Sequence, residues 1–390
     1  MKIKAFRRLD GSLGIRNKVL IMSTVGCANE TAARIAAQVP GTVLIPNTKG
    51  CGQIGGSVPI MKRTMSGLAM NPNVYGVLLV GLGCETVQPH TLYEEIRSKT
   101  TKPLAVITIQ EEGGTVRTIE RGIELAANMV KELVTAPRVV AGLDEILLAT
   151  NCGGSDATSG LSANPALGYC SDRLIGAGGS VMLGETTELI GTEHILARRA
   201  KDEFVRHRIL AIVKGLEAEF VRMGVDIRGA NPSPGNMKGG LSTLEEKALG
   251  GISKGGSTPV NEVVRYGEAP REKGLIIMDT PGYDIESVTG MAAGGAQLCV
   301  FTTGRGTPIG NPVIPVLKVT GNRETYKKMA DNIDVDVSGI LQGTMTLEEC
   351  GEKIFANMLA ICNGELTKAE EYGFGEISVY RNFEVWCNQL

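Results

Sequence analysis

Four cysteines each stand beside a glycine in a short turn sequence: VGCANE around Cys27, KGCGQIGG around Cys51, GLGCE around Cys84 and NCGGSD around Cys152. A thiolate is both a nucleophile and a soft metal ligand, and a neighbouring glycine lets the backbone approach a ligand closely. Glu85 follows Cys84 directly, and Ser155 and Asp156 follow Cys152, so two of these turns also carry groups able to move protons. Small residues also suit tight strand-to-helix turns, so the pattern has a structural reading beside the chemical one.

A second group is anionic. GETTELIGTEHI places Glu185, Glu188 and Glu193 near His194, and carboxylates with one histidine suit a hard or borderline divalent ion such as Fe(II), Mn or Mg. The same acids would also suit a solvated helix start, a reading least apt for Glu185, which ends an apolar run. A third group is cationic: Lys238 in NPSPGNMKGG, Lys254 in GGISKGG, and Thr303 and Arg305 in FTTGRGTPIG. A guanidinium framed by glycine backbone suits a carboxylate or another oxyanion. Of the remaining histidines, His90 follows the GLGCE turn and His207 lies among charges on a helix surface.

The elements that must position these groups read as alternating strands and helices. VLIMSTV, TVLIP, GVLLVGLG and PLAVITI are short apolar runs of strand type, separated by helical stretches at 30–39, 60–70 and 92–99 and followed by a helix at 115–134. TAPRVVAGLD reads as the connection to a second unit, which holds strands at EILLATN, SVMLGE, GLIIMDT, LCVFTTG and VIPVLKVT. A long charged helix over 192–223, an irregular segment over 228–258, and helices near 323–331 and 346–361 complete it. The expected fold is α/β: two Rossmann-like parallel-sheet units, over 1–138 and 139–390, each binding at its strand carboxyl ends.

Composition narrows the class. The chain has 390 residues, a 43% hydrophobic share, 4% aromatics and 51 glycines, about twice the ordinary glycine share. The aliphatic content excludes a disordered chain. A net charge of −2 argues against nucleic acid as a partner, and no apolar run reaches the ~18 residues of a bilayer span, so no membrane partner is expected. Nine cysteines without C-x-x-C spacing and no apolar leader point to a cytoplasmic protein with free thiols. Cys170, Cys299, Cys350, Cys362 and Cys387 read as small buried hydrophobes. GCGQIG satisfies G-x-G-x-x-G, but it follows the second strand and lacks the acidic residue about 20 positions on, so a nucleotide-binding regulator is a weak reading.

Taken in order, DGSLGIRN, STVGCANE, KGCGQIG, GLGCE, NCGGSDATSGLSANPALG, ETTE, NPSPGNMKGGLSTLEEKALG and FTTGRGTPIG resemble the altronate/galactarate dehydratase family, including its sulfolactate sulfo-lyase branch. The resemblance runs from residue 10 to 310. It implies an iron(II)-assisted lyase, with Mn or Mg as other candidates, that eliminates a β-group from a small anionic α-hydroxy acid. Sugar-acid members carry a small SAF-type domain ahead of these motifs. The resemblance here is to the large subunit of the sulfo-lyase, with the small SAF-type domain on a partner in a hetero-oligomer. Sugar-acid members also have a histidine where this chain reads Asn47, which favours (2R)-3-sulfolactate, cleaved to pyruvate and sulfite, over altronate or galactarate.

On this reading Cys51, Cys84, Glu85, Cys152 and Asp156 are the expected catalytic groups. Arg16, Asn47, Lys238, Thr303 and Arg305 are expected to hold the substrate, and Glu185, Glu188 and His194 the metal. An iron–sulfur hydratase using three of the strand-end cysteines is the reading from another class.

Overall fold

The computed structural model describes residues 1–53 and 55–380, so Cys387 and Ile54 of GCGQIG lie outside the described residues. The chain opens with β1 (Lys2–Arg7) and β2 (Leu13–Gly14), which pair antiparallel. It then alternates through β3 (Lys18–Ser23), α1 (Asn29–Gln38), β4 (Thr42–Ile45), α2 (Ser57–Met70), β5 (Val74–Gly81), α3 (Pro89–Arg97), β6 (Leu104–Thr108) and α4 (Thr115–Val134). The four strands form a parallel sheet in the order β4-β3-β5-β6. Both faces of β3 are buried from Val19 to Ser23, as a parallel strand under helices on both sides requires. On α4 the buried positions Thr118, Gly122, Ala126 and Met129 recur at helical spacing, so one stripe faces the sheet.

The stretch read as a plain connection contains β7 (Val139–Gly142), which pairs antiparallel with β1 and makes a three-stranded sheet β2-β1-β7. The second unit follows with β8 (Leu147–Cys152), α5 (Asn164–Gly176), β9 (Ser180–Leu183), α6 (Glu193–Arg198) and α7 (Glu203–Arg222). The single helix expected over 192–223 is therefore two. Lys201 N–H donates to Val260 O at 2.9 Å and Val260 N–H to Arg199 O at 2.8 Å, which pins the break, and the Asp202 carboxylate caps α7.

The segment expected to be irregular holds α8 (Ile227–Ala230), α9 (Pro234–Lys238) and α10 (Leu244–Ile252). Ser233 and Asn236 close a capping box on α9, and Thr243 caps α10, so the Ser, Asn and Thr content that suggested a loop instead starts helices. The unit is completed by β10 (Val260–Val264), β11 (Leu275–Met278), α11 (Asp284–Ala293), β12 (Leu298–Thr302), β13 (Val316–Thr320), α12 (Arg323–Lys328), β14 (Val335–Asp336), α13 (Leu347–Cys362) and α14 (Lys368–Glu371). Its seven parallel strands run β10-β11-β9-β8-β12-β13-β14.

Strand order reverses between β3 and β5 in the first sheet and between β8 and β12 in the second, which are the points where open α/β sheets leave a crevice. The units meet along α2 and α11. A Cβ on Gly67 would lie 2.3 Å from Ala293 O, and the Asn71 amide donates to Ala292 O and Ala296 O. Leu79 and Met65 share one apolar cluster with Met278, Val288 and Phe301 across this seam. Among the described residues no helix is long and apolar enough to cross a membrane.

Candidate active site

At the switch point of the larger sheet, β8 ends in Cys152 and β9 runs into Glu185. Glu185 is the one non-glycine residue with positive φ among the described residues, at 68°. That conformation costs on the order of 1–3 kcal/mol and persists only where its surroundings hold it. Here Glu185 N–H donates to Thr280 Oγ1 at 2.6 Å, while its Oε2 accepts from Cys152 N–H at 3.0 Å and from Lys254 Nζ at 2.5 Å. The Lys254–Glu185 ion pair is completely enclosed, with side chains 1% and 0% exposed.

Around this pair lie further charges. Glu188 binds Lys247 Nζ through Oε1 at 2.8 Å, with its Oε2 3.9 Å from Lys254 Nζ. Asp284, at the start of α11, accepts from the Asn151 amide at 2.9 Å. A Cβ on Gly153 would meet the Asp284 carboxylate at 2.3 Å, so glycine is needed there for the close approach. Cys152 Sγ lies 2.9 Å from Ser155 Oγ.

Burial, reinforced by the Glu188 charge, pushes the Glu185 carboxyl up to about 8 even against the pull of Lys254. Burial alone would lower the Lys254 ammonium, but Glu185, Cys152 and Glu188 outweigh it and hold Lys254 above its ordinary value. Burial and Glu188 raise Asp284 to about 6, and burial pushes the Cys152 thiol up, so that sulfur is a thiol rather than a thiolate. Glu185 Oε1, Glu188 Oε2 and Asn151 Oδ1 are buried without a hydrogen-bond partner. Three unsatisfied acceptors around two ammonium groups mark a place built for a ligand. Beside Cys152 and Glu188, Leu241 and α10, through Glu246, Lys247, Gly250 and Gly251, border a void of about 10 Å³, room for about one water.

Two family models cover most of the chain: the D-galactarate dehydratase/altronate hydrolase second domain over residues 5–134, and the D-galactarate/altronate dehydratase C-terminal domain over residues 143–385. The chain belongs to the galactarate/altronate dehydratase family. It is 36% identical to the (2R)-sulfolactate sulfo-lyase subunit beta of Chromohalobacter salexigens, over 97% of each chain. It is 33% identical to the altronate dehydratase of Bacillus subtilis over 97% of this chain and 77% of that protein. With the galactarate dehydratase (L-threo-forming) of Escherichia coli it shares 34% identity over 95% of this chain and 74% of that one.

Within this family chain, the structure draws Cys152, Glu185 and Glu188 together and disperses the other expected site residues. His194 is exposed on α6, and the two glutamates take lysine ammonium groups instead. Among the described residues no three of His, Cys, Asp and Glu converge as a metal-ligand set. The trio Glu185, Glu188 and His194 therefore does not fit a divalent ion.

Asp156 is buried at the switch point but its oxygens are occupied. They accept from Thr158 Oγ1, Ser159 N–H and the Asn322 amide, so it ties loops together and is not free for proton transfer. Thr303 Oγ1 accepts from Gly306 N–H and shapes the GRG turn, while Arg305 is exposed and donates to Gly235 O. Lys238 is exposed at the end of α9.

In the first unit Glu85 accepts from Thr24 Oγ1, Leu82 N–H and Gly83 N–H, and Asn47 bonds Thr24 O and Lys49 N–H. Both stitch the crevice loops together. Cys27, Cys51 and Cys84 are exposed on those loops. Arg16 lies at the opposite, amino end of β3. Its five N–H donors are spent on Glu370, Ile15 O, Ile361 O and Glu365 O, so it is an anchor for α14 and not a substrate ligand.

Sequence reasoning noted Lys254 only as part of a cationic stretch and passed over Lys247, Asp284 and Asn151. The signal present was helical register: Lys247 and Lys254 lie two turns apart, on α10 and the turn after it, facing one spot.

Proposed function

We propose that this chain is the large subunit of a (2R)-3-sulfolactate sulfo-lyase, releasing pyruvate and sulfite by β-elimination. The observation that carries the reading is the enclosed Lys254–Glu185–Glu188–Lys247 cluster at the β8/β12 switch point, with carboxylate oxygens left open toward a ligand. The C2 proton of an α-hydroxy acid is weakly acidic, and its removal places charge on the adjoining carboxylate. Fixed ammonium groups in a dry site stabilise that charge as it forms. Glu185, raised toward neutral pH and holding Oε1 free, takes the C2 proton; Lys254 and Lys247 face the developing enediolate. The C3–S bond then breaks with its electron pair going to sulfite, and the enolpyruvate left behind tautomerises to pyruvate.

The leaving group favours sulfolactate over a sugar acid. Hydroxide leaves only with a proton supplied to it, whereas sulfite departs as a stable anion. His90, His194 and His207 are all exposed, and Asn47, whose amide cannot exchange a proton in this way, is committed to its loop. The relative named as a beta subunit supports a partner, which we propose is a small subunit that completes the enzyme. The test is sulfite release from (2R)-3-sulfolactate by the chain with its small partner subunit, in buffer supplied with Fe(II), Mn(II) or Mg(II). Turnover of altronate or galactarate without sulfite release from sulfolactate overturns this assignment in favour of a sugar-acid dehydratase.

A further inference from the structure

The first unit carries a second built feature that the cluster at β8/β12 does not use. Gln53 and Ser57 flank the amino end of α2, a helix of 14 residues, and are only 5% and 1% exposed. Both amide atoms of Gln53 and the hydroxyl of Ser57 are nevertheless without a hydrogen-bond partner. Leaving such groups dry and unpaired costs about 1–3 kcal/mol each, so three such atoms on Gln53 and Ser57, at the approach to α2, call for a ligand that satisfies them.

The turn has the sign of an anion site. Gly56 supplies no side-chain cap, no acidic residue lies in the first turn, and the opening N–H groups of the helix are without an internal acceptor. Gly50, Gly52 and Gly55, all with positive φ, lead the chain into this turn.

Its position relative to the cluster follows from helix packing. α2 and α11 run side by side in the same direction. Gly67 abuts Ala293 and Asn71 bonds Ala292 O and Ala296 O at one end, while Ile60 and Arg63 border the same cavity as Thr280 and Pro281 at the other. That cavity, about 730 Å³, also reaches Thr187, two residues beyond Glu185.

We propose that the amino end of α2, through Gln53 Nε2, Ser57 Oγ and the first free N–H groups of the helix, is a subsite for one acid group of the substrate, a carboxylate or sulfonate, whose reacting carbons are handled by the second unit. This rests on the elimination reading above. One unit grips the anion and the other carries the chemistry, which also gives the glycine-rich GCGQIG turn an anion-binding use without any nucleotide.

The test uses inorganic sulfate as probe, titrated calorimetrically into the full chain with its partner subunit, alongside sulfolactate kinetics. Gln53→Glu, isosteric but anionic, should weaken sulfate at least 20-fold, and Ser57→Ala about fivefold. For sulfolactate the same variants should raise KM by similar factors with kcat within threefold of the parent, as expected for lost ground-state and transition-state binding alike. Gln53→Met keeps shape without charge and carries the measurement should Gln53→Glu not fold. Unchanged sulfate affinity and unchanged KM in Gln53→Met and Ser57→Ala refute the subsite. If the parent releases no sulfite from sulfolactate, the function assigned above fails, and sulfate binding lost in Gln53→Glu still establishes the anion site.

Discussion

Replacing Lys254 by methionine separates the enclosed ion pair from the rest of the fold. The ammonium is 1% exposed and its partner Glu185 is 0% exposed, so water cannot take over when the ammonium is removed. Losing one member of such a pair typically costs about 3–5 kcal/mol, because the other charge stays buried and unpaired. Glu185 already sits at about 8 with Lys254 present, and without it the carboxyl rises further, so above about pH 8 only Lys254→Met holds it protonated. The penalty is then the work of protonating it, and its sign is set by linkage. The folded state holds a proton that the unfolded carboxyl, near its ordinary 4.5, has released.

Between about pH 5 and pH 8 the raised Glu185 carboxyl therefore costs the parent and Lys254→Met alike, roughly 1.4 kcal/mol per pH unit; above about pH 8 the parent levels off while Lys254→Met keeps falling, so its deficit relative to parent should grow with pH from there. Adding Glu185→Gln removes the orphaned charge, so the double variant should recover about 2–3 kcal/mol at pH 7 while remaining inactive. Urea unfolding followed by far-ultraviolet circular dichroism between pH 4.5 and 9.5 measures the parent, both single variants and the double variant. A penalty under 1 kcal/mol, independent of pH, with additive costs in the double variant would refute the charge cluster as described.

Further outcomes follow from the same geometry. With Glu185 as base and raised to about 8, kcat/KM should climb with pH through that region, and Glu185→Gln should lose at least about 10³-fold in rate. Brief iodoacetamide treatment with mass mapping should modify Cys27, Cys51 and Cys84, which are exposed, and spare Cys152, which is buried with its thiol raised; rapid labelling at Cys152 would contradict that burial. Arg16→Met should lower stability by about 3 kcal/mol through the lost Glu370 pair with KM unchanged, whereas a raised KM would restore Arg16 to the substrate site. Lys102→Met should destabilise by about 2 kcal/mol, since Lys102 Nζ caps α2 through Ala69 O, Met70 O and Asn71 O.

Much of the architecture was legible because parallel strands buried on both faces announce themselves as unbroken aliphatic runs. VLIMS, VLLVG and LCVFT each became a central strand at nearly the expected bounds. β1 and β7 escaped notice because their pairing joins residues 2–5 to 139–142, and neither strand is apolar enough alone. Strand-end reasoning found Cys152 and Glu185 for the same reason it found the strands. It also promoted Glu85, Asn47 and Asp156, because a polar residue that braces a crevice and one that works in it share the same sequence position. Only the partners distinguish them. Glu85 accepts two hydrogen bonds from its own loop and one from Thr24 at the end of the neighbouring strand, while Glu185 keeps an oxygen open beside an ammonium. Lys247 and Asp284 were invisible for a different reason: each lies on a helix far along the chain from its partner, Lys247 from Glu188 and Asp284 from Asn151, in ordinary helical surroundings.

The glycine excess can now be tied to this division of labour between bracing and working groups. Where the charged cluster is tightest, glycine is the residue a carboxylate rests on: Gly153 under Asp284, Gly304 under Asp156 at 2.0 Å from an added Cβ, and Gly184 beside Thr280 and Ser287. A methyl group at Gly153 would push Asp284 off Asn151 and out of the cluster, and one at Gly304 would unseat the residue that ties the GRG turn to Asn322. The fold thus brings backbone, rather than side-chain bulk, up to its charged groups. The substrate proposed above is a small, doubly anionic acid: two ammonium groups and helix N–H donors would meet its charges, and a molecule with no ring to stack requires no aromatic wall.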